Sequence, residues 1–256
     1  MNYTTLIFDA FDTVIHINTS KLPTLHIDGQ EVSTTAPAGY AAYSVLFGKL
    51  DFDVFYAAFS QSFTQVTARR RADLKEILSQ ERFRIMLVEL LGHPAAEITD
   101  LAVERITRAH MAQLQESFEV RPEVLQVLEW AKVRYRTAMI SNFAYAPTLY
   151  ESLDHFGIRS AFDTVVVSAE VGWCKPHRII FEHTFEKMGV RPDDALFIGD
   201  QLYVDVYGAL NCGMHVVWVE TERQDWLPPE VPLPACKPTY TVRLISEIID
   251  LLDKKS

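Results

Sequence analysis

The sequence predicts an α/β protein whose core is a doubly wound parallel sheet, with an all-helical domain inserted after the first strand. Three observations indicate this fold. Short apolar runs rich in β-branched and aromatic residues recur along the chain, amphipathic stretches separate the later runs, and residues 18–119 contain no comparable run. Strands that alternate with helices are typical of parallel sheets covered by helices. The 256 residues, 48% of them hydrophobic, suffice for one large domain or two modest ones.

Five apolar runs are the predicted strands of the sheet. They are brief and lack a clean alternation of polar and apolar residues, as expected of strands that are buried on both faces. The runs are Thr5–Phe8, Thr137–Ile140, Thr164–Val167, Ala195–Ile198 and Val216–Val219.

The first helix of the alternation is predicted to begin at Pro122, because proline is favoured in the first turn of a helix. The spacing of its apolar residues predicts one buried side. That side carries Val124, Leu125, Leu128 and Ala131.

The later helices are predicted from their boundary residues. Pro176 is expected to open a helix that ends near Met188, with Gly189 as its C-terminal cap. The segment from Arg223 to Thr239 contains five prolines and is expected to be an extended surface loop. A last helix, Val242–Leu252, is expected to close the domain.

We expect residues 1–17 and 120–256 to form the α/β domain and residues 18–119 to form the helical domain. Asp28-Gly29 stands between two short apolar runs, and this pattern predicts a β-hairpin near residues 25–32. The helical patterns in the inserted domain are Asp53–Arg69, Leu74–Leu91 and Ala95–Phe118.

The charge balance limits the partners of the protein. With 24 basic and 34 acidic residues, the formal net charge of -10 argues against a general nucleic-acid surface, which needs a basic stripe. A small anionic substrate stays compatible, because a local site can be positive on an acidic protein. Cys174, Cys212 and Cys236 lack metal-ligand spacing and cannot all pair, which indicates a reducing compartment.

The sequence shows no targeting signal or membrane segment. The first residues lack a basic segment, and no apolar stretch approaches the length that spans a bilayer. We therefore expect a soluble, cytoplasmic protein without a membrane partner. The aromatic-rich stretch Tyr40–Phe63 could pack internally or against another subunit, so both a monomer and a homodimer are compatible with the sequence.

Chemically active residues follow the predicted strands. Asp9 comes after the first strand, Ser141-Asn142 after the second and Gly199-Asp200 after the fourth, and Lys175 lies shortly beyond the third. Ligands of open parallel sheets bind at the carboxyl ends of the strands, so these side chains are expected to meet in one crevice. The combination indicates an anionic ligand with a bound cation.

Taken singly, some of these residues have a plainer explanation. A polar residue after a strand often caps a helix or forms a turn, and this explanation is the better one for Ser141 or Asp205 alone. For Asp9, Lys175 and Asp200 together, a shared function is the better explanation.

Four segments that carry these residues resemble the ordered motifs of the haloacid dehalogenase superfamily. The segments are Phe8–Val14, Ile140–Asn142, Lys175–Pro176 and Gly199–Asp205. The resemblance covers the whole α/β part, and the helical insert occupies the place of the cap domain of that superfamily. It implies a Rossmann-like core and a hydrolase.

The resemblance implies a nucleophile and a metal site. Asp9 would attack phosphorus, or carbon, and form a covalent aspartyl intermediate. Mg²⁺ would be held by Asp9, the backbone carbonyl of Phe11 and Asp200, with Asp205 as a further ligand or directly behind the ligands. Oxygen ligands of this kind suit magnesium.

The remaining motif residues would surround the transferring group. Ser141 and the Asn142 backbone would hold its oxygens, and Lys175 would neutralise charge beside the nucleophile. Thr13 would support the turn after Asp9. Phosphoryl transfer needs mainly positioning and charge stabilisation, and this set can supply both.

The first motif departs from the phosphatase pattern. A phosphatase normally has an aspartate two residues after the nucleophile and a glycine after that, whereas this chain has Phe11 and Asp12, beside the expected substrate. The missing carboxylate normally protonates the leaving group and activates water, a contribution of about 10²–10⁴-fold. Phe11 can still offer its backbone carbonyl to a metal.

Three functions stay open on this sequence. The favoured one is a magnesium-dependent phosphatase for a small phosphorylated metabolite with a good leaving group, or with an acid recruited from the cap or from Asp12. The second is a 2-haloacid dehalogenase, because that branch has an aromatic residue at the Phe11 position; however, dehalogenases lack the acidic motif that is intact here as Gly199-Asp200. The third is a catalytically weak phosphate- or partner-binding regulator.

His16, His177 and His215 show no pattern that specifies a role and are expected to be structural or solvated.

Overall fold

The computed structural model describes residues 3–27, 29–221 and 227–254. The chain divides into two compact units. One unit combines Met1–His16 with Glu119–Ser256, and the other is the continuous segment Ile17–Phe118. Across the described residues, no helix combines the length and apolar character needed to cross a membrane.

Strands and α-helices are numbered separately along the chain. The strands are β1 (Thr5–Asp9), β2 (His16–Ile17), β3 (Thr24–Ile27), β4 (Gln30–Ser33), β5 (Phe118–Glu119), β6 (Arg136–Ser141), β7 (Thr164–Val167), β8 (Ala195–Gly199), β9 (His215–Val219) and β10 (Tyr240–Val242). The α-helices are α1 (Ala36–Phe47), α2 (Phe52–Asp73), α3 (Ser79–Leu91), α4 (Asp100–Gln115), α5 (Pro122–Arg134), α6 (Ala146–His155), α7 (Ser168–Val171), α8 (Arg178–Met188), α9 (Gly208–Asn211) and α10 (Glu247–Asp253).

The first unit contains a parallel sheet with the strand order β10-β9-β8-β1-β6-β7. From β1 the chain adds β6 and β7 on one side and then β8, β9 and β10 on the other, which confirms the predicted doubly wound α/β core. The register pairs Asp9 with Ile140 and Phe8 with Ile198. The carboxyl ends of β1, β6 and β8 therefore lie side by side at the point where the strand order reverses, the usual ligand site of such sheets.

The edge strand β10 was not predicted, and the expected helix Val242–Leu252 begins later. Tyr240 pairs with Val217 and Val242 pairs with Val219, so the start of the expected helix belongs to the sheet. Val242 is buried there. The helix begins only at Glu247.

Helix α5 begins at Pro122 as predicted, but its buried side differs by one residue. Leu125 is 40% exposed, whereas Val127 is fully buried. The actual buried set is Val124, Val127, Leu128 and Ala131. Its spacing of three, four and seven residues follows the helical repeat more closely than the predicted set.

Helix α8 begins two residues later than predicted. His177 is its N-cap, and its imidazole Nδ1 accepts a hydrogen bond from the backbone N–H of Ile179 at 3.3 Å. Pro176 therefore precedes the helix. Gly189, with φ +58°, ends it as predicted.

The proline-rich segment is not wholly a surface loop. Its residues 223–226 lie outside the described residues. From 227 onward it is irregular apart from a 3₁₀ turn at Leu233–Cys236. Pro228 and Cys236 are buried, which attaches the segment to the core at two positions.

In the second unit, β3 and β4 form an antiparallel hairpin that pairs Thr24 with Ser33 and Ile27 with Gln30. This is the place of the predicted hairpin, although Asp28 at its tip lies outside the described residues. Helix α3 begins at Ser79 and not at Leu74, because Leu74 adopts a left-handed conformation that ends α2.

Other helix boundaries in this unit also differ from the sequence patterns. Helix α4 begins at Asp100, where the side chain of Thr99 caps it, and not at Ala95. Helix α1 was not predicted. Aromatic residues of α1 and α2, including Tyr43, Phe55 and Phe59, pack into the core of the unit.

Candidate active site

A buried ion-pair cluster lies at the carboxyl end of β1. Asp9 closes the strand and is 6% exposed, and Lys175 is 2% exposed. The Lys175 ammonium donates to Asp9 Oδ1 and also to Asp205 Oδ1, the second at 2.7 Å. The lysine and the predicted nucleophile, 166 residues apart in sequence, are thus in direct contact.

Asp200 completes a cluster of carboxylates. It directly follows β8, and one oxygen each from Asp9, Asp200 and Asp205 lie within 4.8 Å of one another. All three residues are buried. The three carboxylates share one lysine, which contacts Asp9 and Asp205, so the fully ionised cluster carries excess negative charge in a place shielded from water. Buried charge of this kind needs a partner.

Two oxygens of the cluster fit a metal ion. Asp9 Oδ2 and Asp200 Oδ2 are buried and have no hydrogen-bond partner among residues 3–27, 29–221 and 227–254. Asp205 differs, because its Oδ1 accepts from Lys175 and its Oδ2 accepts from the backbone N–H of Gln201 at 3.0 Å. Hard, unpaired carboxylate oxygens are the ligands that Mg²⁺ prefers. Asp9 and Asp200 are therefore better placed as metal ligands than Asp205.

The cluster perturbs the pKa values of its members. Burial raises the pKa of Asp9 to about 7, with a further increase from the Asp205 charge and an opposing effect of Lys175. Burial, followed by the charges of Asp9, Asp205 and Asp12, raises the pKa of Asp200 to about 9. Burial alone would lower the pKa of Lys175, but the Asp205 and Asp9 carboxylates outweigh it and raise that pKa, so the lysine stays charged.

Ser141 and Asn142 close the neighbouring strand β6. Ser141 is fully buried, and its hydroxyl has no partner in the part of the chain that the structure describes. Asn142 was predicted to contribute its backbone, but the side chain has a definite task. Its Nδ2 donates to the Lys175 carbonyl at 2.9 Å, and its Oδ1 accepts from the Lys175 N–H at 2.7 Å. The asparagine thus fixes the backbone that carries the lysine.

Thr13 and Trp218 hold Asp200. The Thr13 hydroxyl donates to Asp200 Oδ1 at 3.3 Å, so this residue does more than support the turn after Asp9. The Trp218 indole N–H donates to the Asp200 backbone carbonyl at 2.8 Å. Sequence reasoning missed Trp218, because its position in β9 gives no motif signal.

Asp205 is carried by a π-helix, Leu202–Tyr207. The backbone N–H groups of Asp205 and Val206 both donate to the Gln201 carbonyl, at 3.0 and 3.1 Å. A Cβ atom on Gly199 would lie 2.6 Å from the Asp205 carboxyl group, so only glycine fits there. In the Gly199-Asp200 pair, the glycine is therefore needed for steric reasons and the aspartate for its carboxylate.

Asp12 contacts a histidine on its own turn. Its φ of +63° lies in the left-handed region, which is uncommon for a residue other than glycine. Its N–H donates to the Ile15 carbonyl at 2.7 Å, and its Oδ1 lies 3.2 Å from His16 Nδ1. His16, which lacked a sequence signal, is therefore a direct neighbour of Asp12.

Phe11 pairs with an aromatic residue that the motifs did not single out. Its ring centroid lies 4.8 Å from that of Phe143, with the planes tilted by 44°. Phe143 directly follows the Ser141-Asn142 pair. Two phenylalanines thus lie shortly beyond the ends of β1 and β6, the strands that end at Asp9 and Ser141.

The fold and the site together define a hydrolase with an aspartate at the end of the first strand of a doubly wound sheet. A family model of haloacid dehalogenase-like hydrolases matches residues 3–213. The chain belongs to this family.

Several relatives have phosphatase names. The glyceraldehyde 3-phosphate phosphatase of Methanothermobacter thermautotrophicus is 39% identical over 34% of this chain and 38% of its own length. The pyrimidine 5'-nucleotidase YjjG of Escherichia coli is 27% identical over 62% of this chain and 68% of its own. Haloacid dehalogenase-like hydrolase domain-containing protein 3 of Bos taurus is 31% identical over 82% and 79%. The chain thus spans well under half of the first relative.

Solved structures share the fold along the whole chain. YfnB of Bacillus subtilis, bound to magnesium, has a TM-score of 0.63 and 21% identity, over 99% of this chain and all of that one. The 2-haloacid dehalogenase of Pseudomonas syringae pv. Tomato DC3000 has a TM-score of 0.69 and 16% identity, with complete coverage of both chains. At these identities the likeness establishes the α/β core and the helical cap, not the reaction.

Proposed function

We propose that this protein is a magnesium-dependent phosphatase that acts on a small phosphorylated metabolite through an aspartyl-phosphate on Asp9. One observation carries the proposal: Asp9 and Asp200 each present a buried carboxylate oxygen without a hydrogen-bond partner among the described residues, beside a buried lysine. This arrangement suits a divalent cation together with a phosphate group better than a neutral ligand.

The reaction has two steps on this chain. In the first, an oxygen of Asp9 forms a bond to phosphorus while the bond to the leaving oxygen breaks. In the second, a water oxygen forms a bond to phosphorus while the bond from phosphorus to Asp9 breaks, so that inorganic phosphate leaves and Asp9 is restored. Lys175 neutralises charge at the nucleophile, and the unpaired Ser141 hydroxyl can donate to a phosphoryl oxygen. Bound through Asp9 and Asp200, Mg²⁺ would supply electrostatic stabilisation of the transferring group.

The missing acid shapes the expected substrate. Phe11 cannot protonate a departing alkoxide, and Asp12 lies against His16. Esters of weakly basic alcohols and acyl phosphates leave without protonation, so they should react best. The phosphatase names of the relatives support a small phosphorylated substrate, and the magnesium bound to YfnB supports the cofactor.

Two alternatives are less well supported. A dehalogenase would need no proton donor and would tolerate Phe11, but it would have no use for a metal ion, and Asp200 presents a buried carboxylate oxygen that suits one. A non-catalytic binder would have no need for the unpaired oxygens of both Asp9 and Asp200. The unpaired carboxylate oxygens of the cluster therefore favour the metal-dependent phosphatase.

The test is a screen of phosphorylated metabolites, acetyl phosphate, aryl phosphates and 2-chloropropionate, each with Mg²⁺ and with a chelator. We expect phosphate release that needs Mg²⁺, is lost in Asp9→Asn, and is faster for acetyl and aryl phosphates than for alkyl phosphates. Chloride release without metal would establish the dehalogenase instead. Failure of the wild type to turn over any phosphate ester or acyl phosphate would reject the proposal.

A further inference from the structure

The Phe11–Phe143 pair occupies a defined place relative to the nucleophile. Strands β1 and β6 are neighbours in the sheet, with Asp9 opposite Ile140. Phe11 stands two residues beyond Asp9, and Phe143 stands two residues beyond Ser141. Both residues are partly exposed, and their rings are in contact. An aromatic surface therefore lies where the polypeptide leaves the two strands that carry the nucleophile and the unpaired hydroxyl.

The Phe143 side of this pair is held by the backbone around it. The Phe143 N–H donates to the Ser168 hydroxyl at 2.9 Å. The preceding residue, Asn142, is fixed to the backbone of Lys175 by two hydrogen bonds. The lysine in turn contacts Asp9. Phe143 is thus connected to the nucleophile through a chain of short polar contacts.

The Phe11 side is equally well fixed. The carbonyl of Ala10 accepts from the N–H groups of Val14 and Ile15, at 2.9 and 2.7 Å, which closes the turn directly after Asp9. Phe11 itself forms a β-bridge with Ile15. Its ring therefore starts from a rigid backbone, and the pair can act as a preformed surface.

A preformed pair of rings favours one class of leaving group. Aromatic rings attract other flat π-systems in offset or edge-to-face arrangements and offer no proton. We propose that Phe11 and Phe143 form a leaving-group platform that selects phosphate esters whose leaving group is planar and conjugated, such as an aryl or heteroaryl group. This inference rests on the proposed phosphatase function and specifies its substrate class.

The platform also agrees with the chemistry of the site. A phenol or a similar conjugated hydroxyl group is a better leaving group than an alkyl alcohol, because its anion is delocalised. The substrate class that stacks on the rings is thus the class that tolerates a missing general acid. One substitution, phenylalanine for the usual aspartate, would change both the binding preference and the proton requirement.

The test compares two phosphonates that cannot be hydrolysed. Phenylphosphonate and cyclohexylphosphonate carry rings of similar size, of which only the first is flat. Their binding to the full-length protein in Mg²⁺ is measured by calorimetry. We expect the wild type to bind phenylphosphonate about three- to tenfold more tightly, the range for one aromatic contact. Phe143→Leu and Phe11→Leu should each reduce this ratio to near one.

A matched control separates the platform from a general effect on folding. Phe156 is a partly exposed phenylalanine of the same unit at the C-terminal end of α6, and Phe156→Leu should keep the wild-type ratio. Because each variant serves as its own reference, a uniform loss of affinity does not change the ratio. Equal affinities of the wild type for the two phosphonates, or an unchanged ratio in both Phe143→Leu and Phe11→Leu, would overturn the platform.

A second readout distinguishes this proposal from the proposed function. Turnover is compared for phenyl phosphate and for a fluorinated alkyl phosphate whose alcohol is as acidic as phenol. We expect Phe143→Leu to slow phenyl phosphate by about three- to tenfold and the fluorinated ester much less. A flat-ring preference in binding without any turnover would keep the platform and reject the phosphatase. Turnover with equal losses for both esters would keep the phosphatase and reject the platform.

Discussion

At the scale of single residues, the buried carboxylate of Asp200 suits a cation but lowers the stability of the folded protein when no cation is bound. The residue is 1% exposed, and one of its oxygens has no hydrogen-bond partner within the described ranges. Burial and the charges of Asp9, Asp205 and Asp12 raise its pKa to about 9. In the absence of metal, the folded state therefore keeps a proton on this carboxyl group that the unfolded chain releases near pH 4.

This difference predicts a pH effect on stability. In a chelator, the contribution of Asp200 is fully present below about pH 4 and is lost as the pH rises towards 9, because the unfolded state then binds fewer protons than the folded state. Asp200→Asn cannot titrate. We expect its free energy of unfolding to exceed that of the wild type by about 1–3 kcal/mol in chelator at pH 8, with a higher unfolding temperature, and the difference to shrink at pH 5.

Magnesium should reverse the order of the two proteins. Added Mg²⁺ should stabilise the wild type, since a ligand that binds only the folded state raises the unfolding temperature, and should stabilise Asp200→Asn far less. Thermal unfolding monitored by circular dichroism at both pH values measures this. Equal stabilisation of both proteins by Mg²⁺ would show that Asp200 is not a ligand.

The sequence could predict Asp9, Lys175 and Asp200 because each stands at or beyond the end of a recognisable strand, and parallel strands bring such positions together. It could not predict the tasks of Asn142, Trp218 or the ring of Phe143. Asn142 and Lys175 are 33 positions apart, and their hydrogen bonds depend on how two loops lie in space. Neither a loop residue such as Asn142 or Phe143 nor a single strand residue such as Trp218 has a periodic signal that reveals its partner.

At the scale of secondary-structure elements, the π-helix Leu202–Tyr207 determines where Asp205 lies. π-helical turns are rare and occur frequently at functional sites. Here the turn brings the Asp205 carboxyl group against Gly199, close enough to exclude any side chain. The same carboxyl group accepts from Lys175 and from the Gln201 backbone. The position of the lysine therefore depends on the shape of this turn.

Gly199→Ala tests this dependence. A Cβ atom on residue 199 would lie 2.6 Å from the Asp205 carboxyl group and 2.7 Å from the Asp205 Cβ, so Asp205 must move. We expect a loss of about 1–3 kcal/mol of stability, typical of overpacking, together with a large loss of phosphate release. Thermal unfolding and turnover measure the two effects.

Gly213→Ala provides the control. Gly213 also lies in the first unit and has a positive φ, but its nearest neighbour to an added Cβ is 3.8 Å away. The strain of this backbone should lower stability without impairing the turnover of the folded protein. If Gly199→Ala had the same turnover as Gly213→Ala, the contact with Asp205 would have no functional weight.

Five strands of the sheet could be predicted because strands buried on both faces are continuous apolar runs. Strand β10 could not, since Tyr240–Val242 is only three residues long and follows a proline-rich segment. Its strand character arises from pairing with β9. The helix starts at Ser79 and Asp100 were also missed. The helical spacing of apolar residues extends into the irregular segments before these helices, so the spacing alone does not show where each helix begins.

At the scale of the whole molecule, the two units differ in how the chain builds them. The helical unit is one continuous segment, Ile17–Phe118, with a hydrophobic core of its own. Its two ends lie side by side, because the Asn18 N–H donates to the Ser117 carbonyl at 2.8 Å. The α/β unit is assembled from two segments and contains every residue that we place in the site. Such an arrangement is typical of a domain inserted into a loop of another.

We therefore predict that each unit folds without the other. Residues 17–118 alone should show helical circular dichroism and one cooperative thermal transition, since their core is internal to the segment.

The α/β unit with residues 18–117 replaced by a short glycine-serine linker should also unfold cooperatively. It should bind Mg²⁺ with an affinity within about threefold of the whole chain, because Asp9 and Asp200 both belong to the α/β unit. Loss of Mg²⁺ binding in the folded α/β unit would mean that the helical unit contributes to the metal site, and a fragment 17–118 without cooperative unfolding would contradict its independence.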